Sequence, residues 1–481
     1  METQRVHDGG RRGLVGDQSG RTITLSGLLI LALVSALGFG VWWWNQQRHS
    51  PPNIILITVD TLRADHLGVY GYPRATSPHL DAFAKNSLLF RRAFSSAPET
   101  NPSLSSLMSS LHPHETTVLR NYHLLPAAVT TLAEVLRDRG WQTSAVVSNT
   151  SLRRGSGFEQ GFQEYDDRMD DPGESAGLAA VQRIAPKTAE AAIEWLHRRH
   201  GGRFFLWVHF MDPHVPYTPP PPYDTMFTSS SGQHKTLPHL PKESLTTGRS
   251  VGGIPYSAKL GDHADLHYYV AEYDGEIRFF DDSLGRLLGE IGALGLLDDS
   301  LVIITADHGE GMGEHDFFFN HTEFVFTGLI HVPMVIRLPG PSRQGREIDE
   351  PVGLIDVVPT VLKIVGLDVP KEMKGHDLLD PQPKPILSNA TFSSGHISLI
   401  QYDRKLLYDQ GRLALYDLQH DFYESTDLLE HGNPEDVLKA KQMKGTVEAM
   451  VKQDDLHLGA PVEWTVLPDD KLKLRALGYV Q

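Results

Sequence analysis

No cysteine occurs anywhere in the 481 residues. Disulfides, zinc–thiolate sites, iron–sulfur clusters, a cysteine nucleophile and any cofactor made from cysteine are excluded together. Positive charge is also scarce: 44 Lys and Arg stand against 60 Asp and Glu, a formal charge of −16. That balance argues against broad nucleic-acid binding, and no nucleic-acid partner is expected. No internal repeat is visible, and 43 Gly with 31 Pro fall short of collagen-like or low-complexity chains. What is there is ordinary globular composition, with 40% apolar residues. The length allows one large domain or two to three smaller ones, with cores that need no staples.

Charged side chains are missing altogether from Thr22 to Gln47. Within that stretch, Ile23 to Trp44 would be roughly 33 Å long as a helix, enough to cross a bilayer. Trp42, Trp43 and Trp44 then form an interfacial belt. Arg5, Arg11, Arg12 and Arg21 precede the run and only Arg48 follows it before residue 62, so the positive-inside rule sets the N-terminus in the cytoplasm. A cleaved signal peptide is the alternative, disfavoured by the length of the run and by tryptophans where small cleavage-site residues belong. The expected layout is a cytoplasmic tail over 1–22, a transmembrane signal-anchor helix over 23–44 and a linker over 45–51. Everything beyond is expected outside the cytoplasm, in the periplasm or extracellular space.

After the linker, β-rich apolar runs alternate with helical patterns, which predicts an α/β domain built on a mainly parallel sheet flanked by helices. The expected strands are Asn53 to Val59, Thr143 to Ser148, Phe204 to Val208, Leu301 to Thr305 and Met334 to Arg337. Crossover helices are expected over Thr131 to Arg139 and Thr188 to His200, each stopped by a glycine. Pro219 to Asp262 has no sustained period and reads as a long loop, either a lid or disorder. Short runs after Asp377 suggest a small antiparallel C-terminal subdomain. The expected division is a catalytic domain over 52–375 and that subdomain over 376–481.

Ligands of open α/β sheets bind beyond the carboxyl ends of the strands, and metal-ligand residue types cluster there. One strand ends in Asp60, another runs into His209, Asp212 and His214, and a third into Asp307, His308, Gly309 and Glu310. A single Asp after a strand is often a helix cap; three such ends point to a cation. Asp with His suits Zn or Mn, whereas oxygens alone would suit Ca or Mg. Thr100 reads as the N-cap of a helix with Pro102 in its first turn and Leu104, Leu107 and Met108 on its apolar face. A hydroxyl there caps, or meets the positive potential that steadies an alkoxide and a bound phosphate or sulfate. Arg63 and His66 read as salt-bridging or capping residues. Glu310, Glu314 and His315 could support the metal pair. Tyr273, Asp274 and Asp281 read as the solvated face of a helix from about Glu272 to Leu294.

The segments NIILITVDTLRADHLGVYGY, TSPHLDAFAKNSLLFRRAFS, TNPSLSSLMSSLHP, HFMDPHVPY, TADHGEGMGEHD and HVPMVIRLPG follow one another in the order seen in the sulfatase family of the alkaline phosphatase superfamily, which this chain resembles. GLIDVVPTVLKIVGL, LYDLQHDFYESTDL and LRALGYV extend the resemblance to nearly all of residues 52–481. It implies the alkaline-phosphatase/sulfatase fold and a metal-dependent hydrolase of sulfuric or phosphoric esters. Asp60, Asp307 and His308 are the implied metal ligands. Thr100 is the implied nucleophile and a further metal contact, and His214 would touch the ester's non-bridging oxygens. His321 stands where phosphotransferase relatives use a histidine for substrate or a second cation. The implied cofactor is one or two divalent cations, Zn or Mn favoured and Ca an alternative.

Three departures from the sulfatase pattern shape the rest. The nucleophile motif is Thr100-Asn101-Pro102-Ser103-Leu104, without the Cys or Ser that becomes formylglycine and without its arginine, so no formylglycine is expected. Thr61 replaces the second Asp of the usual pair, and Ser148-Asn149-Thr150 replaces a Lys-x-His element. These features resemble the superfamily's phosphodiesterases and its phosphoethanolamine or phosphoglycerol transferases. The expected substrate is a small-molecule, glycan or lipid ester. The alternatives are a transferase acting on envelope lipid or glycan and a catalytically silent binding protein. For topology, a reporter fused after Gln481 is expected to be active only outside the cytoplasm; cytoplasmic activity would refute the anchor, and a mature chain beginning after Trp44 would establish a signal peptide instead.

Overall fold

The computed structural model describes residues 51–463 apart from 170–181, 229–234, 243–250, 342–343, 391–394, 410, 453–455 and 457. The expected tail and membrane helix over 1–44, most of the linker, and the LRALGYV motif lie outside the described residues. Among those described, no helix is long and apolar enough to cross a membrane.

The larger sheet contains β1 (Asn53–Val59), β2 (Leu88–Phe94), β3 (Gln142–Val147), β4 (Glu164–Asp166), β5 (Phe204–Phe210), β6 (Ser300–Ala306), β7 (His331–Arg337), β8 (Arg346–Ile348) and β9 (Val352–Gly353). Their order is β4-β3-β5-β1-β6-β7-β2-β8, with β9 beside β2. The run NIILITV explains why β1 is central: every residue after Asn53 is buried, so both faces need cover. Strands from β4 to β6 are parallel, while β7 runs antiparallel to both neighbours. Helices α1 (Pro78–Ala84), α2 (Thr100–Ser109), α3 (Leu132–Asp138), α4 (Ala185–Arg198), α5 (Leu266–Ala293) and α6 (Val357–Ile364) flank it. Thr131 caps α3 in a capping box with Glu134, a start signal written in the sequence.

The five expected strands are present, each shifted or extended by at most three residues. β2 escaped the sequence reading because Arg91 and Arg92 interrupt its apolar run; near the sheet's edge both reach out, to Glu347 and to Asp403. The face of α5 carrying Tyr273, Asp274 and Asp281 is not solvated. All three are fully buried. Asp274 accepts from His66, Tyr72 and Arg74, and Asp281 accepts from the first backbone N–H groups of α1. A helix in the interior of a large protein needs no polar stripe facing water. The described part of the 219–262 segment runs against α5 at Gly275, where a Cβ would stand 2.6 Å from the Tyr223 carbonyl oxygen.

A second sheet of four antiparallel strands, β10 (Ile386–Ala390), β11 (His396–Gln401), β12 (Arg404–Asp409) and β13 (Arg412–Asp417), follows. Helix α7 (Pro434–Lys452) covers it, packing Ala440, Met443 and Val447 on Leu387, Leu399, Leu406 and Leu415. One buried ion pair fastens this sheet to the larger body. Lys405 is fully buried; its Nζ donates to the Val325 carbonyl at 2.7 Å and meets Glu424 at 2.5 Å, while the other Glu424 oxygen accepts from Thr327 N–H. Removing Lys405 would leave the Glu424 charge buried without its ammonium partner, with only His315 at 3.8 Å and the Thr327 N–H beside it. Lys405→Met should therefore lower the unfolding free energy by about 3–5 kcal/mol, with part of the loss recovered in Lys405→Met/Glu424→Gln. Urea unfolding checks this, and a loss below about 1 kcal/mol, the worth of an exposed pair, would show the pair to be dispensable.

Candidate active site

The sheet register brings the polar residues together. Val59 pairs with Ala306 and Thr58 with His209, so β1, β5 and β6 end level and Asp60 and Asp307 leave the sheet side by side. Ligand atoms of Asp60, His209 and Asp307 lie within 4.8 Å of one another. His308 Nε2 is 3.7 Å from both Asp60 Oδ1 and Asp307 Oδ2. All four side chains are fully buried.

One oxygen of each acid is held by a fixed donor. Asp307 Oδ1 accepts from the Thr61 and His308 N–H groups, and Asp60 Oδ2 accepts from Asn149 Nδ2 at 2.6 Å. The His308 Nδ1–H points to the Gly309 carbonyl at 2.9 Å, which leaves Nε2 with the lone pair a metal requires. Asp60 Oδ1, Asp307 Oδ2, His308 Nε2 and Thr100 Oγ1 have no hydrogen-bond partner. Buried oxygens left this way are costly unless a charge-bearing ligand satisfies them. Two carboxylates and an imidazole are a donor set that fits Zn or Mn.

Electrostatics agrees. Burial opposes ionisation of Asp60, but His214, His209 and His308 outweigh it and hold the acid well below the usual carboxylate range. Asp307 is pushed well above that range by burial and then by the charge of Asp60. Two facing acids that cannot comfortably both ionise are stabilised by a cation between them.

His209 is held differently from His308. Trp207 Nε1–H donates to Thr58 Oγ1 at 2.9 Å, and the same oxygen is 2.8 Å from His209 Nδ1. The Thr58 hydroxyl has no other acceptor among its described partners, so its hydrogen is assigned to Nδ1 and the hydrogen of His209 to Nε2, 3.7 Å from Asp60 Oδ2. Nε2 is also without a hydrogen-bond partner, and His209 stands beside Asp60 within the candidate ligand group.

Thr100 is the first residue of α2 and not its cap; the cap is Glu99, whose backbone is extended at φ −153°. The first turn of α2 is docked on the site, since Ser103 Oγ donates to the Asp307 carbonyl at 2.6 Å and Asn101 Nδ2 to the Ser151 carbonyl at 3.1 Å. His321 borders His308 with ring centroids 4.4 Å apart, and His214 borders His321 at 5.3 Å. Burial lowers all three imidazoles, His308 to about 3 and His321 to about 4. Glu310, raised by burial to about 7, lies 3.2 Å from His321 Nδ1.

Arg63 is locked by Asp65, Glu314 and the Glu310 carbonyl, as the salt-bridging reading expected. Its guanidinium lies over Gly328, where a Cβ would stand 2.9 Å from Nη1. At Gly309 a Cβ would meet the Gly328 oxygen at 2.1 Å. The loop bearing the acid–histidine pair is thus clamped on both sides. His315 stacks on Phe326. Asn149 was not among the sequence candidates, and His209 was read only as one of the metal-ligand residue types at the end of its strand, not as a neighbour of Asp60. His209 stood inside HFMDPHVPY, and Asn149 was visible only as a departure from a family pattern.

Residues 52–367 match the family model described as Sulfatase. The chain belongs to the sulfatase family. An ulvan-active sulfatase of Formosa agariphila is 25% identical over 426 residues, covering 81% of this chain and 79% of that protein. A multifunctional alkaline phosphatase superfamily protein, PehA, of Trinickia caryophylli is 26% identical over 442 residues, covering 77% and 84%. The crystal structure of a phosphonate monoester hydrolase of Agrobacterium radiobacter matches with a TM-score of 0.66 at 22% identity, over 86% of this chain and 100% of that one; it shows the shared fold. The protein is a sulfatase-family hydrolase. Adding Zn or Mn to chelator-treated protein should raise its unfolding temperature, by a stabilisation of about 2.7 kcal/mol at 100 times the dissociation constant. Asp307→Asn and His308→Ala should abolish the shift and the bound metal. Calorimetry with metal analysis is the check, and an undiminished shift in Asp307→Asn would locate the cation elsewhere.

Proposed function

We propose that this chain is a membrane-anchored, extracytoplasmic hydrolase that cleaves sulfuric or phosphoric esters with Thr100 as nucleophile and a divalent cation held by Asp60, Thr100, Asp307 and His308. One observation carries the reading: four buried ligand atoms from three chain segments, all without hydrogen-bond partners, belong to those four residues. Asp60, Asp307, His308 and Thr100 would hold the Zn or Mn, which when bound would supply positive charge and lower the pKa of the threonine hydroxyl. The start of α2 favours the same ionisation, because the first N–H groups of a helix face a negative oxygen. Thr100 Oγ forms the bond to phosphorus or sulfur as the ester oxygen leaves, and water then hydrolyses the threonyl ester to regenerate the hydroxyl. The negative charge of the bound ester draws a proton onto the lone pairs of His214 and His321, which then neutralise the non-bridging oxygens, with Glu310 orienting His321.

Phosphorus esters, phosphonate monoesters among them, are the favoured class, since the formylglycine motif is absent and a phosphonate monoester hydrolase shares the fold. The anchor rests on the uncharged run over 23–44 and the arginines before it. We assign the catalytic domain to 52–375 and the smaller subdomain to 376–481.

The experiment is a screen of residues 52–481 against aryl sulfate, phosphate monoester, phosphodiester and phosphonate, with and without Zn or Mn. Thr100→Ala should reduce kcat by at least about 10³-fold, as expected for loss of a nucleophile, with cation binding and fold retained. Thr100→Ser should keep part of the activity, and intact mass should show unmodified threonine. Parental turnover by Thr100→Ala would exclude the covalent route. Cleavage of sulfate esters alone would exclude the phosphorus preference while leaving the family assignment intact.

A further inference from the structure

A cavity of about 290 Å³ lies between the chain just past α2, the loop entering α6, β10 and α7, and none of the candidate site residues lines it. His112, Lys374 and Lys384 line it together with the apolar side chains of Ile355, Ile386 and Met450. The nearby carboxylates already have fixed duties. Asp356 accepts from Lys384 Nζ and from the His376 and Gly353 N–H groups. Glu115 Oε2 accepts from His112 N–H at 3.0 Å, and its Oε1 stands 3.6 Å from Lys374 Nζ. His112 is only 8% exposed, and its Nδ1 has no hydrogen-bond partner. The lining holds two ammonium groups, Lys374 and Lys384, against one carboxylate, Glu115; burial, then His114, Lys384 and Lys374, press the His112 imidazole down to about 3. Burial lowers Lys384 as well.

We propose that this cavity is a second ligand site, which takes a small organic oxyanion with its carboxylate, sulfonate or phosphate head toward His112, Lys374 and Lys384 and its apolar body on Ile355, Ile386 and Met450. An apolar cavity of roughly 150 Å³ holds benzene, so the volume here admits a body of about two rings. The head would meet charge-assisted donors, the strongest kind of hydrogen bond available to an anion. The ligand would lie where the far end of α2, whose first residue is Thr100, meets the small sheet. Ser110, just past α2, ties that end of the helix to the segments on either side of α6 by donating to the Ile355 carbonyl and accepting from Gly375 N–H.

The test is calorimetric titration of the full-length protein with naphthalene-2-sulfonate, whose C–S bond is not an ester. One equivalent should bind, at least about tenfold tighter than either neutral naphthalene-2-sulfonamide or inorganic sulfate, the worth of one charge-assisted hydrogen bond or of part of the ring burial. Lys384→Met and Met450→Trp should each weaken binding by about tenfold or more, while Asp307→Asn leaves it unchanged. Met450→Trp fills the cavity without touching the Lys384–Asp356 pair, so the test survives if Lys384→Met misfolds. Absence of binding at millimolar probe, equal affinity for the sulfonamide, or loss in Asp307→Asn with retention in Met450→Trp would each overturn the proposal. The last result would assign the probe to the Asp60–Asp307 site.

Discussion

Two buried carboxylates set side by side by the register of a parallel sheet are the constraint on which the rest of the site depends. Asp60 and Asp307 follow directly on β1 and β6, and the pairing of Val59 with Ala306 leaves them no freedom to separate. Around this repulsive pair, donors are arranged to hold exactly one oxygen of each acid, from Asn149 on one side and from two backbone N–H groups on the other. Remaining oxygens face His308. α2 is docked against the same point by the Ser103 bond to the Asp307 carbonyl.

The small sheet and α7 stand in a different relation to the site. Lys405 and Glu424 join them to residues 325–327, a few positions past His321. The supports of this histidine therefore come from two parts of the chain far apart in sequence. Glu310 fixes its ring, and the buried pair holds the segment that follows it. A substitution in the C-terminal part can reach the site along that path without touching any candidate ligand.

Much of this arrangement could be read from the sequence because central parallel strands leave a strong trace. β1, β5 and β6 are unbroken apolar runs, and each leads into acids or histidines at the end where α/β sheets bind ligands. The runs fix residues near the site, yet they say nothing of which oxygens are already engaged. Asn149 illustrates the gap, since an amide becomes a carboxylate's partner only through the pairing of β3 with β5. His209 illustrates another, because its tautomer is set by Trp207 and Thr58, residues that look like plain strand interior. Polar residues of α5 misled in the opposite sense: a charge on a long helix reads as solvent-facing until His66, Arg74 and the start of α1 are found opposite it. β2 was hidden by two arginines whose partners lie more than two hundred residues away.

The clamp on the acid–histidine loop has a consequence of another kind. Gly309 passes the Gly328 carbonyl with no room for a side chain, and Gly328 in turn lies beneath the Arg63 guanidinium, so packing joins the hydrogen bonds in holding the ligand geometry. A cation entering such a site meets a finished socket and need not organise it. A socket that cannot relax would favour a cation whose size and preferred geometry match it, and would disfavour one such as Ca that asks for more and longer bonds. Rigidity at two glycines would thus act as a filter on metal identity, set by the backbone and not by the ligands themselves.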